Sequence, residues 1–331
     1  MARRIIPITA LTGFLGSGKT TLLNYILEHN QGLKIGVVVN DYGDINIDSQ
    51  LVADQTDTML ELTNGCMCCS MDSLDLDEAI GQFAYPGSPI DYIIIEASGL
   101  AEPADLAATL RDAMSGTTRL DSIVAVLDAA NLEHNAETHA TGLQQIEYSD
   151  FVVINKTDLV PPEKVEQIEA LIKGVNERAR IFTTVKAELD VRLILDQDIH
   201  ESTPGTATDH HDHQHLHDNY TTMSFSTDKP LDPAAFQQFA NEQIPADVYR
   251  AKGIVNLGNK GHRRKYVFHL VGKRAELTWT DWGTETPRTE LVFIGKDFDQ
   301  KQLHAQAESC IDQQPNAVDP EQQVVLPRRE R

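Results

Sequence analysis

The sequence lacks the features that mark secreted, membrane-spanning and nucleic-acid-binding proteins. It has only four cysteines in 331 residues, too few for a disulfide framework. No apolar run reaches the roughly 18 residues that a membrane-spanning helix needs. Lysine and arginine number 28 against 50 aspartates and glutamates, and the formal net charge of −22 opposes binding to nucleic-acid phosphate or anionic lipid. We therefore expect no nucleic-acid partner and no membrane partner.

The rest of the composition is that of a globular protein. Hydrophobic residues make up 41% and aromatic residues 6% of a chain whose length suits about two domains. Met1-Ala2-Arg3-Arg4 resembles the start of a twin-arginine export signal, but the apolar stretch behind it leads into a glycine-rich loop. Cleavage there would destroy the clearest motif in the chain. We therefore expect Ile5–Leu11 to be a buried strand and the protein to be cytoplasmic.

The first half of the chain alternates short apolar runs with helical patterns. A helix is predicted over Thr20–His29. Further strands are predicted at Lys34–Val39, Tyr92–Ile95, Ser122–Leu127 and Phe151–Ile154. This alternation predicts an α/β fold with a mainly parallel sheet, covered by helices on both faces, that binds ligands at the carboxyl ends of its strands.

The pattern changes near residue 200, where a linker rich in serine, threonine and glycine begins. It leads to five histidines in eight residues: His210, His211, His213, His215 and His217. Beyond them, strands are predicted at Tyr220–Ser226, Val248–Leu257, Arg264–Leu270, Glu276–Trp282 and Thr289–Ile294, and helices at Pro233–Gln243 and Phe298–Cys310. This pattern predicts a smaller α+β domain on a largely antiparallel sheet. The predicted division is a first domain over 1–200, a histidine-rich linker over 201–219, a second domain over 220–312 and a disordered tail over 313–331.

The sharpest motif follows the first predicted strand. Residues 13–20 read Gly-Phe-Leu-Gly-Ser-Gly-Lys-Thr, which fits the P-loop pattern G-x-x-x-x-G-K-[ST] between a strand and a helix. Backbone N–H groups and the helix N-terminus suit phosphate, the Lys19 ammonium suits the β- and γ-phosphates, and the Thr20 hydroxyl suits Mg²⁺. The first domain is therefore predicted to be a P-loop NTPase domain. Its predicted nucleotide contacts in this loop are Gly13, Gly16, Ser17, Gly18, Lys19, Thr20 and Thr21.

A second motif indicates which base is bound. Asn155-Lys156-Thr157-Asp158 fits N-K-x-D at the end of a predicted buried strand. The Asp158 carboxylate can accept hydrogen bonds from N1–H and the 2-amino group of guanine, whereas adenine has an acceptor at N1 and no 2-amino group. Asn155 can bond the base edge, and the stem of Lys156 can cover the ring face. Together with the P-loop, this motif predicts GTP rather than ATP.

An acidic residue follows the predicted strand Tyr92–Ile95. The Glu96 carboxylate can hold Mg²⁺ directly or through water, and the N–H of Gly99 can sense the γ-phosphate; the alternative is an ordinary charged strand end. Upstream, residues 40–48 have the polar character of a switch loop, in which Asp41 and Asp44 are weaker candidates for binding metal or Mg²⁺-bound water. No arginine finger or catalytic glutamine stands out. The predicted catalytic residues are Lys19, Thr20 and Glu96.

Three of the four cysteines form a C-x-C-C motif. In an extended segment Cys66 and Cys68 face one way and Cys69 the other, and thiolates select Zn²⁺ or Cu(I) over Mg²⁺. Because no second cysteine pair is nearby, we expect a carboxylate, histidine or water to complete the coordination. The alternatives are buried apolar cysteines or a redox pair. The linker histidines suit Zn²⁺, Ni²⁺, Co²⁺ or Cu²⁺ as an auxiliary loading site, or they belong to a solvated linker.

Taken together, G-F-L-G-S-G-K-T, N-G-C-M-C-C, I-E-A-S-G and N-K-T-D resemble the CobW-type metallochaperone GTPases. These belong to the P-loop GTPase family that includes the hydrogenase and urease nickel chaperones. The resemblance covers residues 5–310, and Tyr249–Gly253 and Arg288–Gly295 are similar to the family's C-terminal domain. The chain departs from the family at the switch, where Asn-Glu-Phe-Gly-Glu is replaced by Asn40-Asp41-Tyr42-Gly43-Asp44, with both acids one methylene shorter.

The resemblance implies a slow GTPase that uses Mg²⁺ and delivers Zn²⁺, with Co²⁺ as a second choice. The implied partners are GTP and GDP, a client apo-metalloprotein and a second copy of the chain in a metal- or nucleotide-dependent homodimer. The alternatives are a metal-sensing regulatory GTPase, a cobalt chaperone linked to cobalamin synthesis, and a plain nucleotide hydrolase. Because the cysteines lie between the switch loop and Glu96, Mg·GTP would order the thiolate segment, and hydrolysis would release the metal.

Overall fold

A computed structural model describes residues 5–30, 32–39, 59–61, 73–97, 117–132, 141–196, 220–258 and 264–313. The chain divides into two compact units, Met1–His213 and Gln214–Arg331. Within the described ranges, no helix is long and apolar enough to cross a membrane. The predicted bounds of the linker and the tail stay predictions, because residues 197–219 and 314–331 lie outside those ranges.

The first unit is built on a seven-stranded sheet whose strand pairs are all parallel. In chain order the strands are β1 (Ile6–Thr12), β2 (Ile35–Val39), β3 (Met59–Glu61), β4 (Tyr92–Glu96), β5 (Thr118–Asp128), β6 (Phe151–Asn155) and β7 (Arg180–Thr183). Their spatial order is β3-β2-β4-β1-β5-β6-β7. The described helices of this unit are α1 (Lys19–His29), α2 (Ser73–Phe83), α3 (Thr141–Glu147) and α4 (Pro162–Val175). The predicted α/β fold with a parallel sheet is confirmed.

Mostly apolar sequence explains the position of the central strands. Every residue of β1, β2, β4 and β6 is buried, as expected for parallel strands with helices on both faces. The helix α1 buries Leu22, Leu23, Ile26 and Leu27 at the spacing of one helical face. Each such buried side chain stabilises the fold by about 1.5–3 kcal/mol.

The strand β5 is longer than the sequence pattern predicts. The pattern predicts a strand over Ser122–Leu127, whereas the strand runs over Thr118–Asp128. The polar residues Arg119 and Asp121 interrupt the apolar pattern. Asp121 is nevertheless buried, because its carboxylate accepts a hydrogen bond of 2.6 Å from the Tyr92 hydroxyl and pairs with Arg119 at 3.1 Å. These partners allow a charged residue in a central strand.

The second unit has a five-stranded antiparallel sheet in the order β11-β10-β9-β12-β8. Its strands are β8 (Tyr220–Thr227), β9 (Val248–Asn256), β10 (Arg264–Val271), β11 (Arg274–Asp281) and β12 (Thr289–Lys296), and its helices are α5 (Pro233–Gln238) and α6 (Gln300–Ser309). Asp232 and Asp299 cap the two helices by accepting hydrogen bonds from backbone N–H groups. The predicted α+β domain is confirmed. The helix predicted over Pro233–Gln243 changes after Gln238 to a π-helical turn, Phe239–Gln243.

Candidate nucleotide site

Four neighbouring strands of the first unit end at the same edge of the sheet. The strands β4, β1, β5 and β6 are adjacent and parallel, so their carboxyl ends meet. Open α/β sheets bind ligands at this edge. The residues placed there are Gly13 after β1, Glu96 at the end of β4, Asp128 at the end of β5 and Asn155 at the end of β6.

The loop between β1 and α1 requires glycine at two positions. Gly13 has φ 141°, and a Cβ atom there would lie 2.2 Å from the carbonyl oxygen of Val126. Gly18 has φ 107°, and a Cβ atom there would lie 2.4 Å from Nδ2 of Asn155. Any larger residue would therefore be strained and would collide with a neighbouring strand. The loop packs closely enough on β5 and β6 to hold its backbone N–H groups in a fixed arrangement.

Polar groups lie inside this loop. The ammonium of Lys19 is buried and donates hydrogen bonds to the carbonyl oxygens of Gly13 at 3.0 Å and Phe14 at 3.2 Å. The hydroxyls of Thr12 and Ser17 are buried and have no hydrogen-bond partner within the described part of the chain. Leaving such groups without a partner costs about 1–3 kcal/mol each, so the loop is suited to a polar ligand. Thr21, also a predicted contact, is exposed.

The two predicted magnesium residues are in contact. The Thr20 hydroxyl donates a hydrogen bond of 2.8 Å to the Glu96 carboxylate. Glu96 is buried at the end of β4, in register with Leu11 of β1. Mg²⁺ prefers oxygen ligands and is bound through one or two carboxylates together with substrate phosphates. The hydroxyl and carboxylate oxygens side by side at the loop therefore fit this ion.

Asn155 braces the loop. Its Nδ2 donates a hydrogen bond of 3.0 Å to the carbonyl oxygen of Ser17, and its Oδ1 accepts one of 2.9 Å from the backbone N–H of Ala187. The hydroxyl of Thr184 donates a further bond of 3.3 Å to the same oxygen. Both ends of the buried amide therefore contact protein, a role that the motif did not indicate. The contact of Asn155 with the base edge stays a prediction.

Lys156 links the base motif to the phosphate loop. It has a left-handed backbone (φ 60°), and its Nζ donates hydrogen bonds of 2.7 Å to the carbonyl oxygen of Gly16 and 2.7 Å to Oδ2 of Asp128. Asp158 lies in the 3₁₀ turn Thr157–Leu159 directly after it and is exposed. Its carboxylate is accessible at the carboxyl edge. Two roles stay predictions: the Lys156 stem covering the ring face, and the Asp158 carboxylate accepting hydrogen bonds from the base.

Sequence reasoning missed Asp128. The side chain of Asp128 is buried. Its Oδ1 accepts hydrogen bonds from the backbone N–H groups of Ala130 at 2.9 Å and Asn131 at 3.3 Å. Its Oδ2 accepts hydrogen bonds from Nδ2 of Asn131 at 3.0 Å and from Nζ of Lys156. Burial raises its pKa, but the hydrogen bonds from Lys156, Asn131 and Ala130 outweigh burial, so the pKa lies below its ordinary value. The available signal was an acid directly after a predicted strand, as at Glu96.

The loop after β7 was also missed. Lys186 and Ala187 have φ 55° and 59°, two consecutive left-handed residues that are not glycine. The carbonyl oxygen of Thr184 accepts a hydrogen bond of 3.1 Å from the Thr157 hydroxyl. This loop therefore closes on the base motif at Asn155 and Thr157. No signal in the sequence indicated it, because β7 itself was not predicted.

The other predicted site residues lie outside the described ranges: Asp41, Asp44, Cys66, Cys68, Cys69, Gly99, His210, His211, His213, His215 and His217. Among the residues that the structure describes, no group of three or more His, Cys, Asp and Glu side chains could hold a metal ion. Burial, reinforced by Asp232, raises the pKa of the Cys310 thiol to about 11. Cys310 is therefore protonated at neutral pH and is poorly suited to bind metal.

Comparison with known proteins covers both units. The family described as CobW/HypB/UreG, nucleotide-binding domain, matches residues 7–183, and the family described as cobalamin synthesis protein cobW C-terminal domain matches residues 220–311. The first match spans more than half of the chain and includes the loop, Glu96, Asp128 and the base motif.

Two curated proteins and one crystal structure are similar over most of the chain. The zinc chaperone YjiA of Escherichia coli is 28% identical over 319 residues, which cover 91% of this chain and 97% of that protein. The zinc-regulated GTPase metalloprotein activator 1 of Schizosaccharomyces pombe is 30% identical over 348 aligned positions, which cover 88% and 83%. The crystal structure of Zn(II)-bound YjiA GTPase from E. coli is 24% identical, with a TM-score of 0.42 and coverage of 93% and 100%.

Proposed function

Because the chain belongs to the CobW/HypB/UreG family, we propose that it is a GTPase that acts as a zinc metallochaperone. Binding and hydrolysis of Mg·GTP gate the capture of Zn²⁺ at the C-x-C-C motif and its release to a client apo-metalloprotein. The similarity to proteins named zinc chaperone and zinc-regulated GTPase supports zinc as the cargo. The contact between Thr20 and Glu96 at the end of the glycine loop is the observation that carries the nucleotide half of the proposal.

The reaction is hydrolysis of the γ-phosphoryl group. Water attacks the γ-phosphorus, the bond from that phosphorus to the β,γ-bridging oxygen breaks, and GDP and phosphate leave. Mg²⁺, when bound, neutralises charge on the β- and γ-phosphate oxygens. Thr20 and Glu96 would hold that ion. Lys19, whose ammonium bonds the loop carbonyls of Gly13 and Phe14, would exchange those acceptors for phosphate oxygens.

The base is selected at the turn after β6. Asp158 is exposed there, and its two carboxylate oxygens match the two donors on the edge of guanine. The adjacent Lys156 is tied to the glycine loop through the carbonyl oxygen of Gly16. The base and phosphate subsites are therefore part of one connected structure, which supports a guanine nucleotide as the ligand.

The proposal that the C-x-C-C motif binds Zn²⁺ rests on the sequence and on the similarity to proteins named for zinc. The C-x-C-C motif lies in the chain between β3 and α2, and its cysteines are Cys66, Cys68 and Cys69. The strand β3 pairs with β2, and β2 is also the neighbour of β4, the strand that ends in Glu96. A nucleotide bound at Glu96 is therefore two strands away from the strand that precedes the cysteines. The linker histidines would serve as an auxiliary loading site.

A zinc-release assay tests this function. The full chain is loaded with one equivalent of Zn²⁺ and Mg·GTP, and both phosphate and Zn²⁺ captured by a colorimetric chelator are followed in time. We expect Zn²⁺ release to accompany phosphate release from GTP and to be absent with a non-hydrolysable GTP analogue. Equal release with the analogue contradicts gating by hydrolysis, and turnover of ATP as fast as of GTP contradicts a GTPase. Hydrolysis with the metal retained would favour a zinc-sensing switch.

A further inference from the structure

We propose that Asp128 is a positioning residue for guanine specificity, which holds Lys156 and through it the turn that carries Asp158. This inference rests on the proposed GTP-binding function and deepens it. Asp128 belongs to neither the glycine loop nor the N-K-x-D motif. It is the last residue of β5 and lies opposite Asn155 in the register of β5 and β6.

Asp128 is a fixed anchor. Its side chain is 5% exposed, and both carboxylate oxygens accept hydrogen bonds from Ala130 or Asn131 in the turn that follows β5. These bonds set the orientation of the carboxylate independently of Lys156. The position of Oδ2 is therefore determined by the end of β5, a strand buried at the centre of the sheet.

Lys156 is the movable partner. Its side chain is 34% exposed, and its Nζ lies 2.7 Å from Oδ2 of Asp128 and 2.7 Å from the carbonyl oxygen of Gly16. An ammonium shared between a carboxylate and a carbonyl makes charge-assisted hydrogen bonds, which are stronger than neutral ones. Asp128 is therefore the charged one of the two acceptors that fix the end of this partly exposed side chain.

Fixing Lys156 matters because of its backbone. The residue is left-handed, a conformation that disfavours side chains with a Cβ atom, and it begins the 3₁₀ turn Thr157–Leu159. Asp158 is two residues further on. When the tether at Nζ is lost, the left-handed turn can relax and the Asp158 carboxylate can leave the plane of the base. Because Nζ also bonds Gly16, the same tether sets the base-reading turn relative to the phosphate loop.

The test compares GDP with IDP, which differ only at the 2-amino group that Asp158 would read, and uses ADP as a more distant nucleotide. IDP lacks the 2-amino group of GDP, and ADP lacks both guanine donors. Dissociation constants of the Mg²⁺ complexes of GDP, IDP and ADP are measured for the full wild-type chain and for Asp128→Asn. We expect the wild type to prefer GDP over IDP by about tenfold or more, and Asp128→Asn to lower that ratio by about fivefold.

A double variant tests the route through Lys156. Lys156→Met alone should also lower the ratio of GDP to IDP affinity. In the Lys156→Met background, the further change Asp128→Asn should alter the ratio by less than about twofold, because the partner through which it acts is gone. Additive effects of the two substitutions would overturn the proposed route. Merely structural damage would lower the affinity for both nucleotides together and leave the ratio unchanged.

Glu285→Gln is a matched control. Glu285 pairs with Lys265 at 2.5 Å in the second unit, so the substitution removes the same charge from another acid–lysine pair. It should leave the ratio unchanged. If Asp128→Asn fails to fold, Asp128→Glu decides, because it keeps the charge but displaces the carboxylate and must also lower the ratio.

Failure of the proposed GTPase function and failure of the proposed role of Asp128 give different results in these measurements. A wild-type chain that binds GDP and ADP equally contradicts the proposed GTPase function itself. A wild-type chain that rejects ADP, combined with an unchanged GDP-to-IDP ratio in Asp128→Asn or an equal loss of both affinities, overturns only the role of Asp128.

Discussion

The hydroxyl of Thr20 donates a hydrogen bond of 2.8 Å to the carboxylate of Glu96, joining two residues 76 positions apart in the chain. Thr20 lies in the first turn of α1, and Glu96 is the last residue of β4. The parallel pairing of β1 with β4 brings them together, since the glycine loop connects the end of β1 to the start of α1. In the proposed function, this hydroxyl and this carboxylate would be two oxygen ligands of Mg²⁺.

The first prediction concerns this pair. Thr20→Ala and Glu96→Gln should each lower the rate of GTP hydrolysis by about 100-fold or more, because each would remove one of the two oxygen ligands proposed for Mg²⁺. The Mg²⁺ concentration for half-maximal activity should rise. Thr278→Ala is the control, since Thr278 is an exposed threonine on β11 of the second unit and belongs to no predicted site. Phosphate release across a Mg²⁺ titration measures both effects. Full activity in Glu96→Gln would rule out its role at the metal.

The second prediction concerns the backbone of the glycine loop. Gly18→Ala should destabilise the fold by about 1–3 kcal/mol and abolish nucleotide binding, because the new Cβ would lie 2.4 Å from Asn155 at a positive φ of 107°. Gly81→Ala in α2 is the matched control. A Cβ at Gly81 meets nothing within 4 Å, so this change should stabilise the helix by up to about 1 kcal/mol. Urea unfolding midpoints test both, and a Gly18→Ala variant as stable as the wild type would contradict the close packing.

The third prediction concerns the pH dependence at Asp128. Its pKa lies below the ordinary value, since the hydrogen bonds from Lys156, Asn131 and Ala130 outweigh burial. The ionised side chain therefore stabilises the fold above the pH at which a free aspartate titrates, about pH 4. That contribution disappears as the pH falls through the lowered pKa. The difference in unfolding free energy between the wild type and Asp128→Asn should have its largest value at pH 7 and should decrease below about pH 4. Urea unfolding at several pH values measures it, and a difference that grows on acidification would have the wrong sign.

The fourth prediction separates the metal site from the nucleotide site. Cys66→Ala should weaken Zn²⁺ binding by about tenfold or more while leaving GTP affinity within about twofold, because a thiolate is a strong zinc ligand and lies outside the glycine loop. Cys310→Ala is the control, since its buried thiol has a pKa raised to about 11 and is protonated. Chelator competition and nucleotide titration measure the two affinities. Equal loss of both in Cys66→Ala would argue against a distinct metal site.

The sequence allows the strands β2 and β6 to be predicted closely because each is an almost continuous apolar run. The predicted strand Phe151–Ile154 differs by one residue from the observed Phe151–Asn155, and Lys34–Val39 differs by one from Ile35–Val39. The short edge strands β3 and β7, of three and four residues, were missed. Such lengths are too short for a period to be recognised.

The site was only partly predictable, because the hydrogen bonds that hold its loops in place join residues far apart in the sequence. The glycine loop, Glu96 and N-K-x-D are local patterns, and the structure brings them to one edge of the sheet. Asp128 forms a hydrogen bond with Lys156, which is 28 residues away in the sequence. Asn155 forms one with Ala187, which is 32 residues away. Nothing within a short window indicates such pairs. They become visible only when the strand order places β5, β6 and β7 side by side.

The measurement that most directly tests coupling between nucleotide and metal is the Zn²⁺ affinity of the full chain with and without Mg·GTP. Chelator competition gives both constants, and Thr20→Ala serves as the variant in which the nucleotide should have no effect. We expect Mg·GTP to tighten Zn²⁺ binding by tenfold or more, which corresponds to about 1.4 kcal/mol of coupling. A Zn²⁺ affinity that is the same with and without Mg·GTP would contradict a metal site gated by the nucleotide.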